Sequence, residues 1–199
     1  MKKLLLVPIL LILGCNSNKK ENEAWSKSMV EMTMKIQDIQ EALEDYNKGI
    51  EKYDMEDYEG AIEYFDKALI KNPDFTNAYF SRGTAKMLAF KDYLGAVEDF
   101  TEVIKLSPNK EFAYYERGFA KFLLLNYEGA IEDFSKAIEI NNDYALAYEY
   151  RGYVYEKLED FESAAEDFFN AYMATDSDNP MSEVYLRASI KIKKELSEN

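Results

Sequence analysis

Tyr127, Ala130, Ile131, Phe134, Ala137 and Ile138 recur at intervals of three and four, with charged and polar residues between them. That period lays them along one stripe of an α-helix, small and large side chains mixed, and leaves the opposite face to water. The preceding segment, Phe112 to Leu124, has the same helical period but carries Gly118 at its middle. A mid-helix glycine costs about 1 kcal/mol relative to alanine. Close approach of the following helix would offset it, its alanine-bearing face lying against the bare backbone and gaining packing contacts.

The pair of patterns recurs along the chain. "DYEGAIEYFDKAL" from Asp57, "DYLGAVEDFTEVI" from Asp92 and "DFESAAEDFFNAY" from Asp160 are versions of "NYEGAIEDFSKAI" from Asn126. Ala61, Ala96, Ala130 and Ala164 are 35, 34 and 34 residues apart, and Gly49, Gly83, Gly118 and Gly152 are 34, 35 and 34 apart. Two interleaved series with one period mean a single helix-turn-helix unit, reused. Both series mark the packing of the two helices within a unit. Between Gly83 and Ala96 the step is 13 where the other copies have 12, which predicts a longer turn around Leu88 to Lys91.

In this arrangement the chain resembles the tetratricopeptide repeat family. The match consists of an aromatic four before the glycine (Tyr79, Tyr114, Tyr148), the glycine, and an aromatic opening the second helix (Tyr58, Tyr93, Tyr127, Phe161). Alanine, phenylalanine and alanine follow, and Pro73 and Pro108 end their repeats. The resemblance covers about Ala42 to Asp178, as repeats near 42–75, 76–110, 111–144 and 145–178. It departs at Asp45, where the first aromatic is usual, at Val103 for the last alanine, and at Asn142 and Asp176 for proline. It implies an all-α fold: an α-solenoid of four tetratricopeptide repeats with an extended N-terminal helix and a C-terminal capping helix. It also implies a concave face that holds a protein or peptide partner.

The positions that line such a face lie six and three before each glycine and one and four after it. They read Tyr46, Ile50 and Tyr53 in the first copy, and Asn77, Phe80, Thr84 and Met87 in the second. The third has Phe112, Tyr115, Phe119 and Phe122, the fourth Leu146, Glu149, Tyr153 and Glu156. The groove is therefore expected to be aromatic at its centre and acidic towards its C-terminal end. Half-exposed rings in that number would present roughly 400 to 600 Å², near the largest patch of a typical monomer, so a partner or the protein's own segment should cover them. The lysine, asparagine and arginine that clamp C-terminal carboxylates in one subclass of the family are not at the compared positions, where Tyr46, Ile50, Ser81, Phe112 and Glu116 stand, or Phe80, Thr84, Glu116, Leu146 and Tyr150 in a frame one repeat later.

Arg82, Arg117 and Arg151 precede their glycines, and Asp99, Asp133 and Asp167 recur in the second helices, whereas the first copy has Lys48 and Tyr64. An arginine row could bind an anion. Joint presence and joint absence favour an arginine-to-aspartate ladder instead, because arginine bonds a carboxylate bidentately and lysine cannot.

Before the first repeat, Trp25, Met29, Met32, Ile36, Ile39, Leu43, Tyr46, Ile50 and Tyr53 are spaced alternately by 4 and 3. This predicts one long helix from Glu23 into the first repeat, 23–41 being the N-terminal extension with a heptad seam. It either dimerises or binds a partner, or it caps the array by folding on it. At the other end, "VYLRAS" from Val184 aligns with "YEYRGY" from Tyr148, with Ala188 in place of glycine. The segment 179–199 is then the first helix of a fifth repeat, serving as the solvating cap that arrays require.

Composition narrows the function. The 199 residues are 47% hydrophobic with 8 Gly and 4 Pro, enough to bury a core. A formal charge of −14 repels phosphate backbones, so nucleic acid is a poor partner and a basic protein surface a better one. With no His and one Cys, Ser/His and Cys/His nucleophiles, Cys/His zinc sites and an intrachain disulfide are excluded. "DSDNP" from Asp176 fails the calcium-loop pattern, and no cofactor or metal motif is present. A carboxylate-based hydrolase is the competing class, without a motif to support it; solvated helix faces account for the 38 acids.

The N-terminus "MKKLLLVPILLILGC" has a basic start and an apolar run from Leu4 to Leu13, too short to span a bilayer and laid out as a secretory signal, 1–14. Ile12, Leu13, Gly14 and Cys15 resemble the lipobox of bacterial lipoproteins, with Leu13 where a small residue is usual. The resemblance implies cleavage before Cys15, its acylation, a tether over 15–22 and lipid anchoring in the bacterial cell envelope. Asn16 after the cysteine points to the outer membrane if sorting follows the well-studied Gram-negative pattern.

Overall fold

The computed structural model describes residues 19–176 and 178–198; the expected signal peptide and Cys15 lie outside the described residues. Among these are nine helices and no strand: α1 (Lys19–Asp54), α2 (Tyr58–Lys71), α3 (Thr76–Phe90), α4 (Tyr93–Leu106), α5 (Glu111–Leu123), α6 (Tyr127–Ile140), α7 (Ala145–Lys157), α8 (Phe161–Met173) and α9 (Pro180–Glu198). From the C-terminal part of α1 onward they form antiparallel pairs, α1/α2, α3/α4, α5/α6 and α7/α8, stacked in chain order, with α9 packed on α8.

The chain dictates where the second helices start. Asp57, Asp92, Asn126 and Asp160 cap them, accepting from the backbone N–H of Gly60, Gly95, Gly129 and Ser163 at 3.1, 2.9, 3.1 and 3.2 Å. The tight turns before these caps pass through a left-handed residue, Glu56, Lys91, Leu125 or Glu159. The extra residue of the second repeat does not lengthen its turn as expected. It is taken up by α3, which has 15 residues where α5 and α7 have 13. Continuing a helix keeps one backbone hydrogen bond per added residue, which a longer loop would forgo.

One phenylalanine per repeat, Phe65, Phe100, Phe134 and Phe168, fills the space between paired helices and is fully or nearly fully buried. Ala61, Ala96, Ala130 and Ala164 are buried beside them, as the small-large-small stripe requires. The close approach to the glycines comes from these rings rather than from an alanine face. A methyl group added at Gly49, Gly83, Gly118 or Gly152 would meet the phenylalanine ring of its own repeat at 2.5, 3.1, 3.0 or 3.2 Å. The glycine is the recess into which the ring fits.

The ladder is present. Arg117 Nε donates to Asp133 Oδ2 at 2.9 Å and its Nη2 to Oδ1 at 2.7 Å, and Arg82–Asp99 and Arg151–Asp167 pair in the same two-pronged way. The remaining Nη1 of each arginine reaches the second helix of the preceding repeat, at Asp66, Thr101 or Ser135. One side chain therefore ties three helices. In the first repeat Lys48 lies over the Tyr64 ring instead. Asp45, standing where an aromatic is usual, is buried and accepts from Lys71 Nζ at 2.8 Å.

α1 is a single helix of 36 residues, so the boundary expected at 41/42 falls inside it, and 19–22, expected as tether, are helical. Only its C-terminal part packs, from Ala42 through Tyr53. The seam upstream is uncovered: Trp25, Met32, Ile36, Ile39 and Leu43 are 63, 54, 51, 54 and 50% exposed. The helix does not fold back on the array.

Candidate partner-binding face

Successive first helices touch through the side chains of one face. The Tyr46 and Ser81 hydroxyls lie 3.5 Å apart between α1 and α3, and the Phe80 and Phe112 rings meet edge-on at 5.1 Å between α3 and α5. Phe119 and Tyr150 meet at 4.9 Å between α5 and α7. The Tyr185 hydroxyl donates to Glu149 Oε2 at 2.8 Å between α7 and α9. This ribbon of α1, α3, α5, α7 and α9 is where the groove residues gather.

Ten of the expected residues, Tyr46, Ile50, Tyr53, Phe80, Met87, Phe112, Phe119, Phe122, Tyr153 and Glu156, are half-buried. Two are not available to a partner. Tyr115 is buried at 9% exposure, its ring against Phe119, Phe134, Tyr144 and Tyr150, so it is core. Glu149 is buried at 8% exposure and accepts hydrogen bonds from Tyr153 of its own helix and from Tyr185, the latter fastening the last repeat to α9. The rings thus cover one another in part, which is how the exposed aromatic area is kept down without a covering segment.

Three further residues belong to this face and lie outside the stripe of four positions per repeat. Tyr150 is the hub of the aromatic cluster, in ring contact with Tyr115, Phe119, Phe122, Phe134 and Tyr153. Tyr144 packs on Tyr115 at 5.3 Å. Glu116 is half-buried, and no hydrogen bond or ion pair reaches its carboxylate among the described residues. Tyr150 and Glu116 stand two before their glycines, a position on the same helical face as the four that were read. That was the available signal.

Burial shapes the electrostatics. It holds the Glu116 carboxyl above the usual carboxylate range. Burial also pushes the Tyr144 phenol up to about 12, with the Glu116 charge adding to it. Tyr53, Tyr115 and Tyr150 are raised by burial in the same sense, and each also feels Glu116. No group of acids placed to hold a metal ion occurs among the described residues, and none of their helices is long and apolar enough to cross a membrane.

Residues 46–111 match the family model described as tetratricopeptide repeat, and residues 126–159 a second described as TPR repeat. Curated protein sequences contain no match to the chain. Among solved structures, MamA is similar at 22% identity and TM-score 0.64, over 80% of this chain and 95% of that one. The Arabidopsis OM64 TPR domain is similar at 28% identity and TM-score 0.54, over 60% of this chain and 95% of its own. The first TPR of Spaghetti (RPAP3), bound to the HSP90 peptide SRMEEVD, is similar at 24% identity and TM-score 0.58, over 61% and 95%.

Proposed function

Since the chain belongs to the tetratricopeptide repeat family, we propose that it is a lipid-anchored scaffold of the bacterial cell envelope, holding a protein or peptide partner along the face of its first helices. Proteins of this family are generally non-enzymatic scaffolds, and a similar fold holds a peptide in the Spaghetti structure. The observation that carries the reading is the half-buried, aromatic-rich face from Tyr46 to Tyr153, apolar area held in place by the cross-repeat ring contacts Phe80–Phe112 and Phe119–Tyr150 before any partner arrives. Preorganised aromatic anchors of this kind dominate binding energy because little ordering cost remains. A photo-crosslinking residue at Phe119 should capture one partner in cells, and the same residue at the exposed second-helix position Glu132 should not. Equal capture from both would refute the assignment of the face.

The anchor rests on Ile12, Leu13, Gly14 and Cys15. Several acyl chains at Cys15 hold a protein at a membrane where a single chain does so only marginally. Cys15→Ala should abolish fatty-acid labelling and move the protein to the soluble fraction; unchanged labelling would refute the anchor.

A second reading concerns α1. Its seam is uncovered, and the positions flanking it between Trp25 and Leu43, namely Ser26, Ser28, Thr33, Lys35, Gln40 and Ala42, hold none of the chain's 38 acids. A second copy can therefore dock on the seam without meeting like charge, and we assign the seam to a parallel homodimer. Sedimentation equilibrium should give a dimer for the full chain and a folded monomer once 23–40 is deleted; a full-length monomer at high concentration would contradict this.

A further inference from the structure

In the last three repeats a buried aspartate of the second helix is met by an arginine that also lies over a tyrosine ring. Arg82, Arg117 and Arg151 pair two-pronged with Asp99, Asp133 and Asp167 while lying over the rings of Tyr79, Tyr114 and Tyr148 at 5.4, 5.7 and 5.7 Å. Glu116 contrasts with them. It is half-buried on the first-helix face beside a tyrosine cluster, Tyr115 meeting Tyr144 at 5.3 Å and Tyr150 at 5.8 Å, and no cation reaches it among the described residues.

Nor can the face supply one from nearby. At the positions six, three and two before the four glycines and one, four and five after them, the acids are Asp54, Glu116, Glu149 and Glu156, and the one base is Lys157 at the far end. Glu149 is already satisfied by two tyrosine hydroxyls. A half-buried carboxylate with neither water's full solvation nor a protein donor is costly in the free protein and valuable once paired. A guanidinium answers both parts of the site, since it bonds a carboxylate as a planar fork and stacks on aromatic faces, whereas ammonium is a strongly hydrated point charge.

We propose that Glu116 receives an arginine side chain of the bound partner, the guanidinium pairing with the carboxylate and stacking against the tyrosine cluster. The assignment rests on the peptide-binding reading above and gives it a specificity: a basic partner, and rejection of a peptide that presents a carboxylate here. The Glu116 carboxyl, held high by burial, is what such a cation would return to the ordinary range.

The test uses the full chain carrying carboxyl-labelled glutamate, with N-acetyl-arginine amide as the probe and its neutral isostere N-acetyl-citrulline amide as the control. The arginine probe should move the Glu116 carboxyl resonance and the citrulline probe should not. Glu116→Gln should weaken probe binding by about tenfold or more, while Glu132→Gln, which removes the same charge from an exposed second-helix site, leaves it unchanged. No movement of the Glu116 resonance up to the solubility limit of the probe, or equal binding by Glu116→Gln, would overturn the proposal. Capture of the crosslinked partner distinguishes the two levels. If Glu116→Gln retains capture and Phe112→Ala loses it, the arginine assignment fails and the peptide face stands. If both retain capture, the face itself is wrong.

Discussion

Gly49 and Phe65 fit as recess and plug: a methyl group at Gly49 would lie 2.5 Å from Cε1 of the ring, closer than real side chains come. Phe65 is wholly buried, so the ring has nowhere to retreat. Gly49→Ala should therefore cost about 1 to 3 kcal/mol by overpacking, although alanine is the better helix former. At Gly152 the nearest ring atom is at 3.2 Å, and a small adjustment should let the roughly 1 kcal/mol gain in helix propensity cancel the strain. Urea unfolding of both variants checks the order. A stabilised Gly49→Ala would show that the recess is not what the glycine is for.

The ladder makes a prediction that differs between repeats. Asp133 has two cations, Arg117 and Lys121, the latter at 2.7 Å, whereas Asp167 has, among the described residues, Arg151 alone. Burial accordingly raises the Asp167 carboxyl, with Arg151 opposing it. Arg151→Met strands a buried carboxylate and should cost about 3 to 5 kcal/mol, while Arg117→Met, which leaves Lys121 in place, should cost less. Equal losses would mean that the lysine contributes nothing.

Leu125 holds a backbone φ of 61° with its side chain 71% exposed. A β-carbon is crowded in this left-handed conformation and glycine is not, so Leu125→Gly should stabilise by about 0.5 to 1 kcal/mol, less what the freer unfolded chain takes back. Loss of stability would point to a packing role for the leucine that its exposure does not suggest.

Glu116 should be a liability in the free protein. Its folded pKa is raised by burial above the ordinary 4.5, so its ionised form weighs against folding above the folded pKa, and that penalty disappears as pH falls below 4.5. Glu116→Gln should therefore raise the melting temperature at pH 7, and the gain should shrink to nothing towards pH 4. A loss at pH 7 would mean that the carboxylate serves the fold rather than a partner.

The repeats, their glycines, the phenylalanine stripe and the arginine ladder were legible because each is a periodic relation within one unit, which spacing alone reveals. The fates of Tyr115 and Glu149 were not. Each is decided by a contact between units, Tyr115 with Tyr150 at 5.8 Å and Glu149 with Tyr185 at 2.8 Å, and those depend on the rotation from one repeat to the next. No period within a helix encodes that rotation. The seam from Trp25 to Leu43 shows the same division: its spacing foretold the helix, and only the packing shows that the array leaves it bare. Glu116, read from the sequence only as a position without a clamping cation, stayed outside the groove for a simpler reason, a stripe drawn through four positions of a face that has more.

The central claim, that the first-helix face holds the partner, is tested most directly by comparing two phenylalanines of neighbouring helices. Phe112 is half-buried on the face and packs edge-on to Phe80, while Phe134 is wholly buried between α5 and α6. Affinity for the protein crosslinked from position 119 is measured with Phe112→Ala and with Phe134→Leu, at a temperature where both remain folded. Phe112→Ala should weaken binding by about tenfold or more, a loss of roughly 2 kcal/mol for a central aromatic anchor, while Phe134→Leu lowers the melting temperature and leaves affinity unchanged. Affinity that falls in step with melting temperature in both variants, or in neither, would contradict the account.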